Sequence, residues 1–195
     1  MGTETTERGT ARQRLLAAAD ELFYAEGIHT VGIDRIIDKA GVAKASLYNT
    51  FGSKDELIRA YLQSRLAARQ ARMAAGLAKF DDPRSRLLAV FDVQQAVTAD
   101  PKFRGCAFLN ASAESPSDSA AAQVSQESRQ WLRTTLVELA RAAGVRDPDT
   151  LAAQFALLYD GASVSARLDG DHQAATKARA AAEKLLDAAL WRGGC

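Results

Sequence analysis

The chain reads as all-α, and three features of the sequence say so. Helix-favouring Ala, Leu, Arg and Glu are abundant, only 4 prolines interrupt 195 residues, and no run alternates β-branched with polar residues as a half-buried strand would. Apolar residues recur instead at spacings of three and four, broken at intervals by glycine, proline and Asp-rich segments. The 47% hydrophobic content is ample for a core.

Residues 1–9, MGTETTERG, read as a polar, disordered arm in which Arg8 is either a phosphate contact or uninvolved. Thr10 and Gln13 then fit a capping box, and Leu15, Ala18, Ala19, Leu22 and Phe23 repeat at helical spacing as far as Gly27. The apolar side of this helix is positioned to hold the next two helices in one geometry. His29, a lone histidine in the following loop, reads as a solvated side chain rather than a ligand.

Two short apolar-periodic runs follow: Ile33, Ile36, Ile37 and Ala40, then Ala43, Leu47 and Phe51. Gly41-Val42 separates them, which makes a helix-turn-helix. Gly41 has the place and chemistry of a residue that ends a helix in a left-handed conformation, with Val42 under the corner. Between its buried positions the second helix leaves Lys44, Ser46, Tyr48 and Asn49 outward, groups that contact phosphates and base edges. An ordinary helical corner has the same turn. After Gly52, Ser53 can cap a further helix with Glu56 at its third position, which sets Lys54 at a helix start, where phosphates bind.

The run from Thr10 to Leu57, with AGVAKASLY followed by NTFGSKDEL, resembles the N-terminal DNA-binding domain of the tetracycline-repressor (TetR) family of bacterial transcriptional regulators. The resemblance implies a DNA-binding domain over residues 1–53 and a helical effector-binding and dimerisation domain over 54–195. It also implies DNA contacts from Lys44, Ala45, Ser46, Tyr48, Asn49, Thr50 and Lys54. Ala45 would allow close approach to a base, Ser46 and Asn49 would read base edges, and Tyr48, Thr50 and Lys54 would hold phosphates. Two positions depart from the family's usual pattern: Gly32 replaces the threonine or serine that opens the second helix, and Thr50 stands where many members carry histidine.

Beyond the resemblance the elements continue in order. One long helix runs from Ser53 to about Lys79, with Leu57, Tyr61, Leu62, Leu66 and Met73 apolar and Gly76 marking a frayed end; such a helix is either a mechanical lever or a plain connector. Asp81-Asp82-Pro83 breaks the chain before a helix over Arg84 to Thr98. A short helix within Phe103 to Asn110 follows, then a long one from Ser117 to Ala143 carrying Trp131, ended by Gly144. Asp147-Pro148-Asp149 starts a helix with Leu151, Phe155, Leu158, Tyr159 and Ala162 on one face. Ala174 to Trp191 closes the chain with a broad alanine-rich stripe.

Candidate effector-pocket residues are Phe91, Phe103, Cys106, Phe108, Asn110, Trp131, Phe155 and Tyr159, which also suit an ordinary core. Cys106 reads as a sensor thiol or a buried structural one. Leu151, Phe155, Leu158, Ala182, Leu185, Leu186 and Ala189 are candidates for a four-helix dimer interface, the alternative being the chain's own core.

Charge sharpens the picture. The net charge is +1, and as far as Lys54 seven basic residues face seven acidic ones, so contact with nucleic acid must come from placement rather than from bulk charge. Two cysteines form no framework or metal motif, and only 2 histidines are present. No triad, phosphate loop or ligand cluster supports an enzyme, a metal or a cofactor. The absence of a signal sequence or long apolar stretch points to the cytoplasm and away from membranes. The expectation is a homodimeric regulator, a repressor released from a palindromic operator on double-stranded DNA by an unknown small molecule. The alternative is a helical adaptor without sequence-specific DNA binding.

Overall fold

The computed structural model describes residues 9–190, and among them the chain is entirely helical and turn. The helices are α1 (Ala11–Glu26), α2 (Ile33–Ala40), α3 (Lys44–Phe51), α4 (Lys54–Leu77), α5 (Pro83–Thr98), α6 (Ala107–Ala113), α7 (Ala120–Ala142), α8 (Pro148–Leu168) and α9 (Ala174–Leu190). Arg8 and the end of the last expected helix at Trp191 lie outside the described residues. The chain divides into two compact units. Among the described residues, one comprises those up to Ser64 together with Ala107–Ser125, and the other Arg65–Cys106 with those from Gln126 to Leu190.

Helix starts follow local chemistry. The Thr10 hydroxyl accepts from the Gln13 N–H at 3.2 Å while the Gln13 side chain accepts from the Thr10 N–H at 2.8 Å, completing the capping box. Ser53 accepts from the Glu56 N–H at 3.1 Å, but the Glu56 carboxylate pairs with Arg59 at 3.2 Å. Asp82 and Asp147 cap α5 and α8, each with proline in the first turn. Main-chain and side-chain hydrogen bonds from Ser85 and Thr150, respectively, hold both carboxyls below their ordinary range.

In the first unit Leu15, Ala19, Leu22 and Phe23 of α1 are buried with Ile36, Leu47, Leu57 and Tyr61, and the Phe23 and Tyr61 rings lie 5.5 Å apart. The α6 end is tied in through Glu114, whose carboxylate accepts from the His29 main-chain N–H at 3.1 Å. Gly27 allows that approach: a Cβ there would stand 2.9 Å from the carboxylate oxygens, and its φ is +94°.

In the second unit α5, α8 and α9 pack around Phe91, Leu87, Leu88, Phe155, Ala175, Ala182 and Leu186. The small alanines let the axes approach, and Arg84 to Asp187 at 2.7 Å and Arg179 to Asp92 at 3.1 Å link α5 to α9. Gly76 does stand at the end of α4, one residue before its last, but it is also a packing position. A Cβ on it would fall 2.1 Å from a methyl of Val93 on α5. Gly76→Ala is therefore expected to lower the urea midpoint. Overpacking costs about 1–3 kcal/mol, more than the roughly 1 kcal/mol gained in helix propensity, and adding Val93→Ala should recover part of the loss.

Candidate nucleic-acid interface and effector region

The turn between α2 and α3 is built as the sequence implies. Gly41 is left-handed at φ 61°, ψ 47°, and the Gly41 and Val42 N–H groups donate back to Asp38 and Ile37, each at 3.2 Å. Arg14 of α1 adds a brace, its Nη1 donating to the carbonyls of Ala40 at 3.1 Å and Gly41 at 2.9 Å. A cation at a helix C-terminus also suits the helix dipole.

Leu47, fully buried, anchors α3. Ala43 is exposed rather than buried, because it precedes the helix in extended conformation, and Phe51 is half-buried with the Arg12 guanidinium 5.5 Å from its ring. With Leu47 inward, Lys44, Ala45, Tyr48, Asn49 and Thr50 are exposed and Ser46 half-buried. The Thr50 hydroxyl donates to the Ser46 carbonyl at 2.6 Å.

Two of the expected contacts are engaged within the chain. Lys44 Nζ lies 2.9 Å from Asp34 of α2, and that hydrogen bond, reinforced by charge attraction, raises the lysine pKa. Lys54 lies 6.0 Å from the centre of the Phe23 ring, and burial lowers its pKa against the opposing pull of Asp55 and Glu114. Asp34 sits ten positions before Lys44, so no helical spacing advertised the pair. At Gly32 no side chain caps α2.

The effector candidates divide between the two units. In the second, Phe91 lies 5.5 Å from Phe155 and 6.4 Å from Tyr159, while Trp131 and Tyr159 flank the guanidinium of Arg69 at 5.6 and 5.2 Å. Phe103 packs against the same core and Cys106 is half-buried. Phe108, buried, and Asn110, exposed, belong to the first unit. The sequence reading missed Gln94, Ser128 and Ser163, polar side chains buried in the second unit. Their signal was a polar residue at an inward helical position, as Gln94 is three residues after Phe91. An open groove of about 430 Å³ between α7 and α8 has Arg133, Glu138, Arg141 and Asp149 on its walls and none of the expected pocket residues.

Of the dimer candidates, Leu151, Phe155, Ala182 and Leu186 are buried in the chain's own core, and Leu158, Leu185 and Ala189 pack against it. They face α5 and each other's helices, so the outward apolar surface of α8 falls elsewhere, on Leu157, Val164 and Leu168 at 70%, 46% and 76% exposure. Gly161 lies on the same stripe, and a Cβ on it would meet nothing. Among the described residues no helix is long and apolar enough to cross a membrane, and no group of three His, Cys, Asp or Glu could hold a metal ion.

Comparison with known proteins agrees with this architecture. Residues 15–61 match the family described as bacterial regulatory proteins, tetR family, and residues 83–182 match the tetracyclin repressor-like C-terminal domain. The transcriptional activator FasR of Mycolicibacterium smegmatis is 40% identical over 85 residues, 44% of this chain and 39% of FasR. The chain thus matches well under half the length of that relative. The crystal structure of SCO4454, a TetR-family transcriptional regulator from Streptomyces coelicolor, superposes with a TM-score of 0.87 at 35% identity, covering 92% of this chain and 95% of that one. For sav143 of Streptomyces avermitilis the values are 0.84 and 34%, over 94% and 100%. A turn closed by Gly41, an α3 anchored by Leu47 and family matches to both halves lead to one conclusion: the chain belongs to the TetR family of bacterial transcriptional regulators.

Proposed function

We propose that the chain acts in the cytoplasm as a homodimeric repressor of a palindromic operator, released when a small molecule binds its second unit, and that it carries no catalytic activity. The observation that carries the reading is the outward row of Lys44, Ala45, Tyr48 and Asn49 on a helix fixed by Leu47 and the Gly41 turn. Ser46, Thr50 and Lys54 complete the contact set, with residues 1–53 as the DNA-binding domain and 54–195 serving effector and dimer, although the first compact unit itself runs on to Ser64 and takes in Ala107–Ser125. Two recognition helices related by a two-fold axis must enter major grooves about 34–36 Å apart, which requires a dimer. The stripe Leu157, Gly161, Val164 and Leu168 supports one, its members recurring at helical spacing on the exposed side of α8. Release follows if the effector binds better to the conformation whose helices miss that spacing.

Selection from a random duplex library tests the reading. Recovered sequences should be inverted repeats with half-sites a whole number of helical turns apart; enrichment of no sequence supports the adaptor instead.

The Lys44–Asp34 pair makes a separate forecast. A phosphate must compete with Asp34 for Lys44, and the carboxylate itself repels the backbone. Asp34→Asn should therefore bind random-sequence DNA several-fold more tightly, with a salt slope steeper by about two units, one for each Lys44 of the dimer, measured by fluorescence anisotropy across salt concentrations.

A further inference from the structure

The polar interior of the second unit specifies a ligand chemistry. Gln94, on the face of α5 that also carries Phe91 and Thr98, is only 2% exposed. Its amide nitrogen donates to the Tyr159 main-chain carbonyl at 2.6 Å and to the Ser163 hydroxyl oxygen at 2.9 Å. A carbonyl only accepts, so the amide cannot be turned over to exchange its ends. Its oxygen, Oε1, is buried, and no described residue donates to it. Buried amide oxygens are ordinarily paired, so one left open among otherwise satisfied groups marks a place for a donor.

The surroundings are aromatic. Tyr159, whose carbonyl holds the Gln94 amide, turns its ring toward Phe91 and toward the Arg69 guanidinium. That guanidinium also lies over Trp131 and donates to the Ser128 hydroxyl at 2.9 Å. The guanidinium thus lies over both rings, each presenting its face to a planar cation. Phe91 and Phe155 close the region from the core side.

We propose that the effector, on the reading that one exists, is a compact aromatic molecule bearing a hydroxyl or N–H. Its donor meets Gln94 Oε1, and its ring takes the place of the Arg69 guanidinium against Trp131 and Tyr159. A hydrocarbon chain without a donor fills space but leaves the Gln94 oxygen unpaired, so the site discriminates against it.

Two probes isolate the donor: 1-naphthol and 1-methoxynaphthalene share a ring system and differ in the O–H. Each is titrated without DNA into the full chain carrying Trp191→Phe, so that Trp131 alone reports binding by its fluorescence. Naphthol is expected to bind about tenfold more tightly, the ratio that one hydrogen bond of ordinary net strength supplies. In Gln94→Met and Gln94→Leu, both checked for native helicity by circular dichroism, the ratio should fall to about two or less. Equal binding of the two probes, no saturable binding, or a ratio that survives both substitutions overturns the proposal. An operator assay run in parallel keeps the two readings separate. Donor-selective binding without any effect on DNA affinity leaves the site standing and removes its regulatory role, whereas effector release by a molecule lacking a donor does the reverse.

Discussion

Replacing both Lys44 and Tyr48 with alanine is expected to weaken operator binding by two orders of magnitude or more while leaving the fold untouched. Both side chains are exposed, Tyr48 at 44%, so their removal opens no cavity. Each contact to a base or phosphate is worth about 1–3 kcal/mol, and a symmetric dimer loses every contact twice. Helicity and melting temperature should stay within error of the parent. Leu47→Ala provides the contrast, because it removes the buried anchor of α3 and should lower stability as well as binding. An electrophoretic mobility assay on the selected repeat, beside thermal melts, separates the two outcomes. Unchanged affinity in the double variant would remove α3 from the DNA contact.

The second large effect concerns assembly. Leu157→Glu with Leu168→Glu is expected to convert the protein from dimer to monomer at micromolar concentration, read by sedimentation velocity. Each leucine contributes about 1.5–3 kcal/mol when buried, symmetry counts it twice, and the introduced carboxylates must also be desolvated. Gly161→Leu is the finer probe: the position is exposed and a Cβ there has nothing within 4 Å, so the monomer should tolerate it, and any shift toward monomer reports a second helix lying close to that glycine. An unchanged mass for all three substitutions would place the dimer contact on another face. Loss of dimer should carry operator affinity down with it, since one recognition helix alone reads half a site.

What was legible from sequence was chemistry acting over three or four residues. Thr10 with Gln13, Asp82 before Pro83 and Asp147 before Pro148 fix helix starts through neighbours along the chain, and Gly41 fixes the turn by its own backbone freedom. The helix order followed from these punctuation marks. Features that depend on which helix lies opposite were hidden. α8 is apolar on more than one side, so periodicity alone could not tell the stripe of Leu151 and Phe155, which faces the core, from that of Leu157, Val164 and Leu168, which faces out. Gly76 looked like a weak point because its packing partner, Val93, comes from another helix. Gln94 and Asp34 escaped notice for the same reason: the groups that give them meaning are 65 residues away in one case and across a turn in the other.

The seat of the Val93 methyl against Gly76 also governs motion within the second unit. A side-chain knob lodged where the opposing helix has no Cβ acts as a detent: rolling the C-terminal part of α4 about its axis would drive a backbone ridge into that methyl. The last turn of α4 and the Val93 region of α5 thus meet at a point where a displacement of one is resisted by the other.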